Sequence, residues 1–316
     1  MTLFVTSTAR WMRPQRIVAH AAAHVFATLC VLTLLLGVQP AHADGASDLR
    51  DKYQTLAQPL AHNPFHRPLY LDSSEAPNAL KGDIYAVLDY PFATVNAALN
   101  DPAQGAANWC DVLILHLNIK YCHASTGSNG STLSVNLGKK TEEQLSSTFR
   151  VTFNYRPDES RSDYFKVDLS ADKGPMSTKD YRIVLEAVAL DSKHTFIHLT
   201  YAYGYGTAGR FAMKTYLATI GSDKVGFSSQ GGSGADAQGG YIGGVRGLTE
   251  RNTMRYYLAI DAYLASLAAA PDQRVEQRFA SWFDATEQYP RQLHEVERDD
   301  YLQMKRHEYQ RQQTAQ

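Results

Sequence analysis

The run His194-Thr195-Phe196-Ile197-His198-Leu199-Thr200-Tyr201-Ala202-Tyr203-Gly204-Tyr205 places Tyr201, Tyr203 and Tyr205 at every second position. In an extended strand their rings share one face with Ile197 and Leu199. A tyrosine has an apolar body and a hydrogen-bonding tip, which suits it to orient a greasy ligand by one polar end. Two readings stand, a cavity lining or ordinary sheet core, because strands favour Tyr in any case. Arg246, Glu250, Arg251, Asn252 and Arg255 crowd the start of a helical stretch that also carries Tyr257. A helix N-terminus favours acids over bases, so Arg246 and Arg251 either hold an anionic head group at a cavity mouth or belong to an ion-pair network. With Tyr257, these arginines and tyrosines are the candidate ligand-binding residues.

Other constellations are weaker. The glycines at 231–234 and 239–244 lack the Lys-Ser/Thr ending and the βαβ setting of a phosphate loop, which excludes nucleotide binding. His62 and His66, and His194 and His198, are four apart, but the first pair lies among prolines and the second in a strand, where such side chains stand about 13 Å apart. No metal and no cofactor is expected. His116 and His123 read as polar surface or rim groups. Asp89, Asp111, Asp180 and Glu186 have no spacing that joins two of them as an acid/base pair, so no catalytic residue is assigned.

The elements that must position these residues follow from periodicity. Residues 44–80 are rich in Pro, His and Ala, with a helical pattern near Leu49–Leu60, and read as an N-terminal strap. Asp83–Asp89 is a strand, and Pro91 opens a helix with Phe92, Val95, Ala98 and Leu99 at helical spacing. A second short helix is expected at Ala106–Leu113. Alternating runs at Thr132–Leu137, Ser147–Tyr155, Asp163–Leu169, Tyr181–Leu190 and His194–Tyr205 are strands, and their short connections make them antiparallel. A helix near Ala208–Ile220 precedes the longest one, Leu248–Ala269, which Pro271 stops. Beyond it, Phe279, Trp282 and Phe283 form a stripe on one or two amphipathic helices. Asp284 and Glu287 on the same stretch oppose docking on anionic lipid and favour packing on the body or on a partner.

Ile84-Tyr85-Ala86-Val87-Leu88-Asp89-Tyr90-Pro91-Phe92-Ala93-Thr94-Val95, with Asp101-Pro102 and Trp109 after it, resembles the START-like (SRPBCC) superfamily, the helix-grip fold of lipid-transfer domains and aromatic polyketide cyclases. The resemblance spans roughly residues 80–270. It implies an α+β fold in which a curved antiparallel sheet grips a long C-terminal helix, with two short helices after the first strand and an apolar cavity between sheet and helix. It carries over no active-site residue. The expected parts are a signal peptide (1–43), the strap (44–80), the helix-grip domain (81–270) and a helical C-terminal extension (271–316).

Arg10, Arg13 and Arg16 precede a 14-residue apolar run, Val25–Val38, then Pro40, Ala41 and Ala43. This is a secretory signal with cleavage after Ala43, and the run is short of the roughly 18–20 residues of a membrane span. The expected location is periplasmic or secreted, with no integral membrane segment after processing. Three of the 31 basic residues leave with the signal, so 28 face 32 acidic ones, a balance that excludes nucleic acid as a partner. Cys30 also leaves, and Cys110 and Cys122 remain as an expected disulfide. The function expected is binding or transport of a hydrophobic, lipid-like small molecule. The alternatives are a cyclase- or hydrolase-type enzyme on the same scaffold, or a structural protein that engages a protein partner through residues 272–316.

Overall fold

Among the described residues, eight stretches form the strands of one antiparallel sheet: β1 (Leu69–Ala76), β2 (Ala79–Leu88), β3 (Ile119–Gly127), β4 (Gly130–Leu137), β5 (Phe149–Ser160), β6 (Tyr164–Lys173), β7 (Thr178–Ala189) and β8 (Thr195–Tyr205). The computed structural model describes residues 44–218, 224–229 and 240–314. The expected signal segment and the glycines at 231–234 lie outside the described residues. The described residues from Gly45 onward form one compact unit.

The strand order is β1-β2-β8-β7-β6-β5-β4-β3. Pairing of β2 with β8 sets Ile84 beside Leu199, which in turn faces Leu185 of β7, so one apolar face runs across the three strands. Two short helices, α3 (Phe92–Leu99) and α4 (Gly105–Leu113), follow β2, and the Trp109 indole donates to the Leu99 carbonyl at 3.0 Å to fix one on the other. After β8 come α5 (Thr207–Ala218) and the long α6 (Gly244–Ser266). The expected architecture is therefore present: a curved sheet, a long C-terminal helix and a helical extension, α7 (Arg274–Thr286), α8 (Pro290–Leu293) and α9 (Arg298–Thr314).

Helix α6 lies on β1, β2 and β8. It crosses β2 at Gly82, where a Cβ would stand 2.3 Å from Thr253 Oγ1, so only the smallest residue permits that approach. Its other side is covered by α7, whose Phe279, Trp282 and Phe283 are buried, and the Trp282 indole donates to the Arg255 carbonyl at 3.1 Å. The aromatic stripe of the extension thus packs on the body. On the opposite face of the sheet, α1 (Gly45–Thr55) and α2 (Ala57–Ala61) set Ala46, Leu49, Leu56 and Leu60 against Tyr164, Val188 and Phe196.

Three expectations need correction. The strap does not run unstructured to residue 80, because Leu69–Ala76 is a strand, and the strand expected to be first is therefore second. Its polar Asp72-Ser73-Ser74-Glu75 hides the period. Strand β3 went unseen because its second residue, Lys120, is wholly buried. His116 is not a rim group: it is buried and stacked on Tyr256, ring centroids 5.0 Å apart, and desolvation together with the charges of Arg255 and Lys305 holds its pKa well below the usual value.

Lys120 joins β3 to the last helix. Its Nζ donates to Glu308 at 3.0 Å and to the Leu117 carbonyl at 2.9 Å. Lys305 donates to the other Glu308 oxygen at 2.7 Å and to the carbonyls of His116 and Ile119. All three side chains are at most 1% exposed, and burial pushes the Lys305 ammonium down to about 8 despite the adjacent carboxylate. The expected disulfide is formed between Cys110 of α4 and Cys122 of β3, close to the same strand end. Glu308→Gln leaves two buried ammonium groups without their carboxylate and is expected to cost about 3–5 kcal/mol in urea unfolding. A loss below about 1 kcal/mol would contradict this role.

Candidate functional site

An open cavity of about 540 Å³ lies where the end of the sheet meets the start of α6. The tight turn at Pro77-Asn78, between the paired Ala76 and Ala79, brings Glu75, Ala76 and Pro77 to one wall. Tyr205 at the end of β8, Arg210 and Met213 on α5, and Val245 in the first turn of α6 complete it. The Tyr205 hydroxyl donates to the Ala76 carbonyl at 3.4 Å, and its ring lies 5.8 Å from the Arg210 guanidinium. Arg210 donates to the Pro77 carbonyl and, at 3.0 Å, to Asn78 Oδ1, which holds α5 across the hairpin. The wall is mostly apolar, with one acid and one base on its rim.

Beneath the middle of the long helix, where a hollow is expected, the sheet and α6 meet through aromatic rings. Six rings pass from the sheet to α6 in unbroken contact: Phe153, Tyr181, Tyr203, Tyr201, Tyr256 and His116, with successive centroids 5.0–6.3 Å apart. Tyr201 and Tyr203 are thus the core of this layer, and burial raises their phenol pKa values. Tyr205 alone of the row borders the open cavity.

The structure spreads the other expected ligand residues apart. Half-buried Arg246 donates to Ser73 Oγ at 3.1 Å. Ser73 in turn donates to Glu250 at 2.6 Å, and the second Glu250 oxygen accepts the backbone N–H groups of Phe227 and Ser228. Arg251 is fully buried and donates to the Val225 carbonyl. These bonds tie α6 to β1 and to residues 225–228. Tyr257 is buried against the Arg67–Asp261 ion pair, 2.7 Å between charged atoms. Of the cavity wall, Glu75, Ala76, Pro77, Arg210, Met213 and Val245 were missed. They come from one hairpin and two helices, and the one signal for any of them was the turn chemistry of Pro77-Asn78.

The four carboxylates considered for catalysis stand apart. Asp111 pairs with Arg278 at 2.7 Å, while Asp89 and Asp180 are exposed. Glu186 belongs to a half-buried cluster under α1. There the His198 ring lies between Glu186 Oε2, 3.0 Å from Nδ1, and Asp83 Oδ1, 2.8 Å from Nε2, and it stacks on Tyr85. Thr200 and Lys81 also bond Asp83, Tyr164 donates to Glu186, and Lys166 approaches Glu186 at 3.8 Å. Every oxygen here is engaged by its neighbours, and the group faces away from the cavity.

No protein-family model and no curated protein matches the sequence. Similar solved structures include a point mutant of norcoclaurine synthase from Thalictrum flavum, at 10% identity and TM-score 0.33, covering 46% of this chain and 91% of that one. Human StAR-related lipid transfer protein 5 is 6% identical with TM-score 0.31, over 55% of this chain and 87% of that one. The Zhui aromatase/cyclase from Streptomyces sp. R1128 is 13% identical with TM-score 0.27, over 46% and 73%. At such identities no residue role passes from them to this chain.

Desolvation lowers the His198 pKa, but its bonds to Asp83 and Glu186 outweigh that and leave it raised; the same bonds lower both carboxylates. The histidine's contribution is complete below its unfolded value of about 6.5 and is lost as pH rises through the folded value. The carboxylates' contribution is present above about 4 and is lost on acidification. The stability lost in His198→Gln is therefore expected to be larger at about pH 5.5 than at about pH 8.5. Equal losses in urea titrations at both pH values would contradict it.

Proposed function

We propose that the chain, after removal of residues 1–43, binds a hydrophobic, lipid-like small molecule in the cavity at the start of α6, and does so in the periplasm or outside the cell. The observation that carries this reading is the open volume of about 540 Å³ walled by Ala76, Pro77, Tyr205, Met213 and Val245, within the size range of small-molecule sites. Binding works by desolvation: each methylene moved from water against this wall contributes about 0.8 kcal/mol. No covalent step is needed, and no pair of carboxylates faces the cavity among the described residues. Export is supported by Arg10, Arg13, Arg16, the apolar run Val25–Val38 and the small residues Ala41 and Ala43. Among the described residues, no helix is long and apolar enough to cross a membrane.

Uptake of a fluorescent fatty acid, together with native mass spectrometry of protein isolated from its own compartment, tests the binding. Ala76→Trp places an indole at the exposed edge of the wall. It is expected to weaken uptake about tenfold or more, the equivalent of about 1.4 kcal/mol, with unfolding unchanged within about 0.5 kcal/mol. No co-purifying amphiphile and no uptake by the unaltered protein would end the proposal. For export, the isolated protein is expected to begin at Asp44, and a product retaining residues 1–43 would contradict that part.

A further inference from the structure

We infer that the ligand of this cavity is a zwitterion, an apolar body whose polar end carries a positive and a negative group; the inference rests on the binding reading above. Two side chains on the wall carry it. Glu75 continues the inward register of Leu69, Leu71 and Ser73 along β1, which turns its carboxylate to the cavity. Among the described residues, no cation forms an ion pair with it.

Arg210, on the facing α5, is held by the Pro77 carbonyl and the Asn78 amide oxygen and lies near the Tyr205 ring. All three partners are neutral, so the guanidinium is anchored while its charge stays uncompensated. Although both residues line one cavity, Glu75 and Arg210 make no ion pair with each other. A cationic and an anionic anchor therefore face the same volume with space between them.

The charges then sort the ligands. A singly charged amphiphile satisfies one anchor and covers the other, stripping water from a charge that gains nothing in return. A neutral one covers both. A zwitterion meets both at once. Its carboxylate or phosphate takes the planar donor fork of Arg210 in place of neutral acceptors, and charge-assisted bonds of that kind are about twice as strong as neutral ones. Its ammonium or quaternary ammonium group lies against Glu75. The shared chemistry is a positive nitrogen within a few bonds of an acid oxygen, whether in an amino-acid head or a phosphodiester head.

The test is calorimetric titration of the chain starting at Asp44 with probes of one alkyl length below their micelle concentrations. The probes are 2-aminododecanoic acid, dodecylphosphocholine, dodecanoate, dodecylamine and dodecanol. At least one zwitterion is expected to bind about ten- to a hundredfold tighter than each of the other three, and which one does so separates the two head-group sources. In Glu75→Gln, dodecanoate is expected to rise to parity with that zwitterion; in Arg210→Gln, dodecylamine is. Both residues are exposed, so neither change disturbs the core, and Arg210→Lys keeps the charge as a control for the hold of α5 on the hairpin. Equal binding of all probes, or a ranking unmoved by both substitutions, overturns the zwitterion inference while leaving the binding site in place. Binding of none of the probes overturns the site itself.

Discussion

Most of helix α6 is shut off from water. The sheet takes one face through β1, β2 and β8, and α7 takes the other, so the polar groups it buries must be satisfied inside the protein. Glu250 does so with Ser73 and the backbone of Phe227 and Ser228, Arg255 with Glu295 at 2.9 Å, and Ser266 with Arg278 at 2.9 Å. Each bond reaches a different part of the chain. The helix is consequently located by polar contacts as well as by packing, and breaking one leaves a buried charge or donor stranded.

That enclosure decides where a ligand can go. With α7 behind it, α6 is held down on the sheet at Gly82, and the rings of Tyr181, Tyr203, Tyr201 and Tyr256 bridge sheet and helix beneath its middle. Free volume remains past the end of the ring chain, where Tyr205 is the last member of the row and α5 crosses the hairpin. This candidate site is peripheral, with mostly apolar walls and a charged rim.

Much of this architecture was legible in the sequence. The period-two strands, Pro91 ahead of α3 and the long helix follow from local rules, since each depends on neighbours a few residues away, and the Cys110–Cys122 pair follows from the cysteine count once Cys30 is set aside. What escaped notice depends on distant partners. Ser73 is buried in β1 because Glu250, 177 positions away, accepts its hydrogen bond, and Lys120 is buried in β3 because Glu308 waits 188 positions away. Hydrophobic periodicity scores both residues as polar and so erases their strands. The tyrosine row was visible as a face, but whether a face lines a hollow or fills one is set by the helix opposite. Here Tyr256 decides for core at Tyr201.

The most direct measurement is the position of a bound amphiphile, read from the anomalous signal of a bromine-tagged alkyl chain in crystals of the protein. The bromine is expected within the volume bounded by Ala76, Tyr205, Met213 and Val245, with the rings of Tyr201 and Tyr256 still in contact. Bromine density lodged between Tyr201 and Tyr256, with those rings driven apart, would contradict it.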